Sequence, residues 1–153
     1  MYKFCYSLAF SKEEAEDLFQ ETFLKAFENV QRGVALANPL GYFISTALFT
    51  WKSWKRKHAR RNQIATFQAL PAQLPVPDDT AQALLAQEEM ALVQQIVHQL
   101  PDKFKIPTLL YYSAQASVGQ IATALSIPEG TVKSRLFKAR QLIEKRLKQH
   151  GYE

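Results

Sequence analysis

The run Ser117–Leu136 constrains this chain more than any other stretch. Ser117-Val118-Gly119-Gln120-Ile121-Ala122-Thr123-Ala124-Leu125 places apolar and small residues at helical spacing. Ser126-Ile127-Pro128 interrupts it, and Glu129-Gly130-Thr131-Val132-Lys133-Ser134-Arg135-Leu136 resumes it. Two short helices joined this tightly must cross closely, so a small residue is required at the crossing, and Ala122 supplies one. Leu125 and Ile127 anchor the connection, while Val132, Leu136 and Ala139 give the second helix an apolar inner face. Thr131, Lys133, Ser134, Arg135 and Lys138 stand between them. This is the pattern of a helix-turn-helix, whose second helix offers polar and basic side chains to base edges and phosphates. An ordinary helical hairpin with solvated charges is the alternative. Against it, no charged residue from Lys133 to Arg140 is acidic.

The rest of the chain reads as helical too. Strand-like alternation is rare, and the 153 residues include only 5 glycines. With 47% hydrophobic and 22% charged residues the balance is globular, not disordered. The net charge of +5 suits a polyanionic partner without naming one. Pro71, Pro75 and Pro77 fall in a stretch with few charges, too closely spaced for a regular helix. The expected organisation is therefore two small helical domains, 1–61 and 80–153, joined by a proline-containing linker at 62–79.

In the first half, Ser11-Lys12-Glu13-Glu14 is a capping box with acidic residues in the first turn, where the helix dipole favours them. Ala15, Leu18, Phe19, Thr22, Phe23, Ala26 and Phe27 then recur at helical spacing and predict one core-facing stripe, in a helix ending near Gln31. Tyr2–Phe10 reads as a short helix on the same core. Asn38-Pro39 reads as a cap followed by proline at the first helical position. The helix it opens, Pro39–Arg61, carries Phe43, Ile44, Leu48, Trp51 and Trp54 and turns strongly basic at its end. In the second half a helix is expected from Asp78-Asp79-Thr80 to about Leu100. After Pro101-Asp102 comes another to about Ser113, with Pro107 kinking or resetting its first turns. A short helix near Val118–Leu125 and a final one from Glu129 to about Gln149 complete the chain.

These residues resemble a known family. Leu100-Pro101-Asp102-Lys103-Phe104, Leu109-Leu110-Tyr111-Tyr112, Gln120-Ile121-Ala122 and Ile127–Leu136 are similar to region 4 of extracytoplasmic-function (ECF) sigma factors. The likeness spans roughly Leu92–Leu147. It implies that the last helix reads the minus-thirty-five promoter element through Lys133, Ser134 and Lys138, with Thr131, Arg135 and Arg140 in support. Lysine at 133 and 138, where the family often has arginine, forgoes a bidentate fork to guanine and shifts the preferred sequence. Glu14–Phe27 resembles region 2.2, which docks on the β′ clamp helices of core RNA polymerase. Asp17, Gln20 and Glu21 would form that ridge, the plain alternative being a solvated acidic face.

Pro39–Arg61 resembles regions 2.3 and 2.4, which open and hold the minus-ten element. Tyr42, Trp51, Lys52, Trp54, Lys55, Arg56 and Lys57 are the implied contacts, since single-stranded DNA is held by stacking and phosphate attraction. Trp51 or Trp54 is expected to be partly exposed, with Phe43 and Leu48 in the core. The family commonly has Trp at Tyr42, Asn at Phe49 and Asp at Ser53, so the minus-ten half departs from its pattern. It also has several more residues ahead of Tyr2, which makes this first helix short.

Other classes fit poorly. His58, His98 and His150 lie in different predicted elements, and Cys5 is the single cysteine, so no catalytic site, metal site or cofactor is expected. There is no glycine-rich phosphate loop and no nucleophile elbow. No signal peptide or membrane span is legible, which points to the cytoplasm. The resemblance implies a sigma factor with promoter DNA, core RNA polymerase and an anti-sigma factor as partners. A stand-alone helix-turn-helix regulator and a degenerate sigma-like protein acting by protein–protein contact are the competing readings.

Overall fold

The computed structural model describes residues 1–9, 11–61 and 81–152, and among them every regular element is a helix. In chain order these are α1 (Tyr2–Leu8), α2 (Lys12–Gln31), α3 (Pro39–Arg61), α4 (Ala81–His98), α5 (Asp102–Tyr112), α6 (Val118–Leu125) and α7 (Glu129–Gln149). The proline-containing stretch 62–79 and the Asp78-Asp79-Thr80 start signal lie outside the described residues.

The caps fall where the sequence puts them. Ser11 is extended, and its hydroxyl accepts the amide of Glu14 at 3.0 Å, which starts α2. Asn38 accepts the Gly41 amide at 3.0 Å and so starts α3 ahead of Pro39. Gly33, at φ +80°, closes the end of α2 in a conformation that a side chain would strain.

Helices α1, α2 and α3 pack on one another around Phe4, Cys5, Leu8, Leu18, Ile44, Ala47, Leu48 and Trp51. The stripe of α2 is narrower than its periodicity predicts. Ala15, Leu18, Thr22 and Ala26 are buried, but Phe23 is 52% and Phe27 51% exposed. Thr22 is accommodated because its hydroxyl donates to the Leu18 carbonyl at 2.6 Å. Phe23 stacks between Phe19 and Phe43, with centroids 6.5 and 6.4 Å away, so it lies along the edge of the core. Phe43 is accordingly half-buried and not central.

In the second half α5 and α6 pack on α7, which also meets α4. Helix α5 runs unbroken through Pro107, with no reset of its first turns. Pro107 stands in the second turn, so its missing N–H forfeits one bond to a carbonyl near the helix start. Its ring is fully buried, and packing offsets that loss. The two halves meet: α1 lies against α5 and α3 against α6, and their buried side chains form one continuous cluster.

Candidate nucleic-acid and polymerase interface

The helix-turn-helix forms as its sequence requires. Ser117 and Gln120 build a reciprocal capping box, with the Gln120 amide on Ser117 Oγ at 3.1 Å and the Ser117 amide on Gln120 Oε1 at 2.9 Å. Helix α6 ends at Ser126 in the left-handed region, φ 54° and ψ 47°. The Ile127 amide then bonds back to the Ala122 carbonyl at 3.0 Å, which turns the chain into α7 within three residues. Ile121 and Ala122 are buried against Val132, Leu136 and Ala139, while Leu125 and Ile127 pack at the margin.

The opposite face of α7 is free. Lys133, Ser134 and Lys138 are exposed, and Thr131 and Arg135 are half-exposed beside them. Arg140 is exposed but held, its Nε donating to the Tyr112 hydroxyl at 3.0 Å, which places it on the α5 side of the surface. The sequence reading missed Phe137, which is 62% exposed among the cations. It lies one turn from Lys133 and beside Lys138, so an apolar edge accompanies the charges. Its signal was available: 137 falls outside the 132–136–139 inner stripe.

On α2, Asp17 and Gln20 are exposed. Glu21 is half-exposed and paired with Lys25 at 2.6 Å, whose ammonium also donates to Thr50 Oγ1 at 3.0 Å. The acidic ridge is therefore Asp17 and Gln20, with a neutralised Glu21 behind. Leu24, Phe27 and Val30 continue it as exposed apolar surface, which periodicity had assigned in part to the core.

On α3 the structure separates the tryptophans. Trp51 is 3% exposed and Trp54 half-exposed, so Trp54 is the accessible one of the pair. Lys55 Nζ lies 5.1 Å and Lys105 Nζ 5.3 Å from the centroid of the Trp51 ring. Lys52, Lys55, Arg56 and Lys57 are exposed. Tyr42 is half-buried, its hydroxyl bonded to Asn29 Nδ2. Phe49, 67% exposed, stands in the middle of the outer face, a turn from Lys52 and Ser53.

Lys55 does not stand alone. Its ammonium donates to both Asp102 oxygens, at 2.9 and 3.1 Å, across the contact between the halves. Lys105, 4% exposed, lies 3.3 Å from Asp102 and donates to the His98 carbonyl at 3.3 Å. Burial alone would raise the Asp102 carboxyl, but the Lys55 hydrogen bond and both lysine charges outweigh it and hold the group below its ordinary value. Burial lowers Lys105, with the Asp102 charge opposing. The sequence gives Asp102 no ionic role, because the lysine it pairs with across the halves lies 47 residues away. Among the described residues no cluster of His, Cys, Asp and Glu could hold a metal ion, and no helix is long and apolar enough to cross a membrane.

Two helical units, the second a helix-turn-helix with a basic outer face, define a DNA-binding protein of the sigma-70 kind. The family model for Sigma-70 region 2 matches residues 1–61, and that for Sigma-70, region 4 matches residues 90–143. The ECF RNA polymerase sigma factor SigW of Bacillus subtilis is 29% identical over 159 residues, spanning 97% of this chain and 83% of that protein. The RNA polymerase sigma-H factor of Pseudomonas aeruginosa is 30% identical over 151 residues, spanning 88% and 74%. The solved structure of the sigma factor RpoE in complex with the anti-sigma factor NepR, from Bartonella quintana, shares the fold with a TM-score of 0.76. It is 22% identical and covers 96% of this chain and 89% of that one. The chain belongs to the ECF RNA polymerase sigma factors. It binds core RNA polymerase and directs promoter-specific initiation of transcription.

Proposed function

We propose that the two promoter elements are divided between the two halves, with residues 1–61 serving core polymerase and the minus-ten element and residues 80–153 the minus-thirty-five element. The observation that carries this is the free outer face of α7, where Lys133, Ser134 and Lys138 are exposed and no acidic side chain intervenes. In a major groove, lysine makes single rather than forked contacts to guanine, so recognition leans on phosphate attraction, Ser134 and the edge of Phe137. Thr131, Arg135 and Arg140 support the helix at the groove wall.

Helix α3 holds the opened minus-ten strand. Lys52, Lys55, Arg56 and Lys57 attract its phosphates, and Trp54, Tyr42 and Phe49 offer aromatic surface for unstacked bases. Phe49 stands where the family commonly has asparagine, which exchanges hydrogen-bond readout at that point for stacking. Asp17, Gln20 and Glu21, continued by Leu24 and Phe27, dock on the β′ clamp helices. The chain makes and breaks no bonds itself; catalysis belongs to the polymerase, beside which it works in the cytoplasm. An anti-sigma factor, of the kind seen on RpoE of Bartonella quintana, holds it until it is needed.

The test is in vitro transcription with core polymerase on a panel of promoters. Specific transcripts that need this chain are expected, and Asp17→Ala combined with Gln20→Ala should abolish them by lowering core affinity. A double variant that binds core and initiates normally would sink the α2 assignment.

A further inference from the structure

Helix α5 ends on two adjacent aromatics that the core does not take up. Tyr111 is 37% and Tyr112 56% exposed, and their rings meet edge to face with centroids 5.0 Å apart. The Tyr112 hydroxyl accepts from Arg140 Nε at 3.0 Å, which links α5 to α7. That bond occupies the inner nitrogen of the guanidinium, and Nη1 and Nη2 have no partner among the described residues. The acceptor is uncharged, since a phenol keeps its proton at neutral pH. Elsewhere the paired lysines, such as Lys25 with Glu21 and Lys148 with Glu144, have their charge offset by a carboxylate. Arg140 has no ion-pair partner among the described residues and so keeps its full charge while being held.

We infer that Tyr112 is a positioning residue for promoter binding: it holds Arg140 so that Nη1 and Nη2 fork onto one backbone phosphate at the wall of the groove that α7 reads. The inference rests on the assignment of the outer face of α7 to the minus-thirty-five duplex. Arg140 follows Lys133 by two helical turns, so both stand on one face of α7, about 10 Å apart along its axis. The major groove is about 12 Å wide, so with Lys133 among the base edges Arg140 meets the phosphates that bound them. A free arginine gives up much rotamer freedom when it binds, and one already held at Nε has less to lose. Its remaining planar fork matches the paired oxygens of a phosphate. A carboxylate in place of the Tyr112 hydroxyl would also hold the arginine, but it would cancel the charge that a phosphate needs. A phenol does the first without the second.

The experiment uses the full chain assembled with core polymerase and a fluorescein-labelled duplex carrying a minus-thirty-five element, recovered by selection from a random pool and read by anisotropy. Tyr112→Phe removes one oxygen and is expected to weaken binding by about three- to tenfold. Arg140→Ala should weaken it at least as much, and Tyr112→Phe should then add nothing. Single methylphosphonate linkages placed along the duplex locate the contact. At one position the neutral linkage should weaken the parent chain and erase its advantage over both variants, which a role in folding alone would not produce. Unchanged affinity in Tyr112→Phe, with loss in Arg140→Ala, overturns the positioning role and leaves Arg140 on the duplex. No loss in Arg140→Ala overturns that placement of Arg140 as well. A Tyr112→Phe deficit that persists in Arg140→Ala, or at every neutralised phosphate, also overturns the proposal, since Tyr112 then acts through the packing of α5 on α7.

Discussion

Individual side chains in this protein settle their neighbours' conformations through short, local bonds. Ser117 and Gln120 satisfy two amides that the start of α6 would otherwise leave open, so Ser117→Ala should cost about 1 kcal/mol, seen as a lower urea midpoint at constant slope. The loss falls where α6 meets α7, so duplex binding should weaken along with stability. Ser126 adopts the left-handed conformation between α6 and α7 although it carries a side chain. Cys5 is fully buried, and burial pushes its thiol up to about 11, which keeps it unreactive toward alkylating reagents in the folded protein.

Helix α7 carries two loads on opposite faces. Its inner residues Val132, Leu136 and Ala139 are removed from water, while its outer cations Lys133 and Lys138 are exposed. Lys133→Ala and Lys138→Ala should each weaken binding to a minus-thirty-five duplex and make the salt dependence shallower by about 1 in log–log slope, with core affinity little changed. Phe137→Ala provides the contrast, because it removes apolar contact without removing charge. Affinity should fall while the salt slope stays the same. A slope that is unaltered in the lysine variants would remove both lysines from the phosphate contacts.

Across the whole molecule the stability is tied to the junction where α4 hands over to α5. His98 lies there, and burial, aided by the charge of Lys105, lowers its pKa below the ordinary 6.5. The unfolded chain therefore takes up a proton at a pH where the folded protein still refuses it. Stability is full above the ordinary value and is lost as pH falls from it toward the folded value. Urea unfolding between about pH 7 and pH 5 should show midpoints falling with acid, and His98→Gln should flatten that limb. An equal acid slope in the variant would assign the loss to other groups. Asp102 cannot produce it, because its carboxyl is held below the carboxylate range and stays charged throughout this window.

The sequence by itself determined the helices, their caps and the reading face of α7. Those features follow from interactions three or four residues apart: Ser11 with Glu14, Asn38 with Gly41, and the 132–136–139 stripe all close within one helical turn or two. It determined the order of the two halves for the same reason, since each is recognisable from residues close in the chain. What periodicity could not decide was how far a stripe is covered. Phe23 and Phe27 flank the buried Ala15, Leu18, Thr22 and Ala26 stripe of α2 and lie well round the helix from Leu18, and the placement of α1 and α3 leaves them half-exposed. The same holds for Trp51 and Trp54, three residues apart on one helix and equivalent in sequence. Trp51 is buried because α5 brings Lys105 over it, and Asp102 reaches Lys55 only because the two halves close on each other. Ionic and aromatic contacts between distant segments leave no periodic trace, so the exposed cations that are free and those already engaged are told apart by the tertiary structure alone.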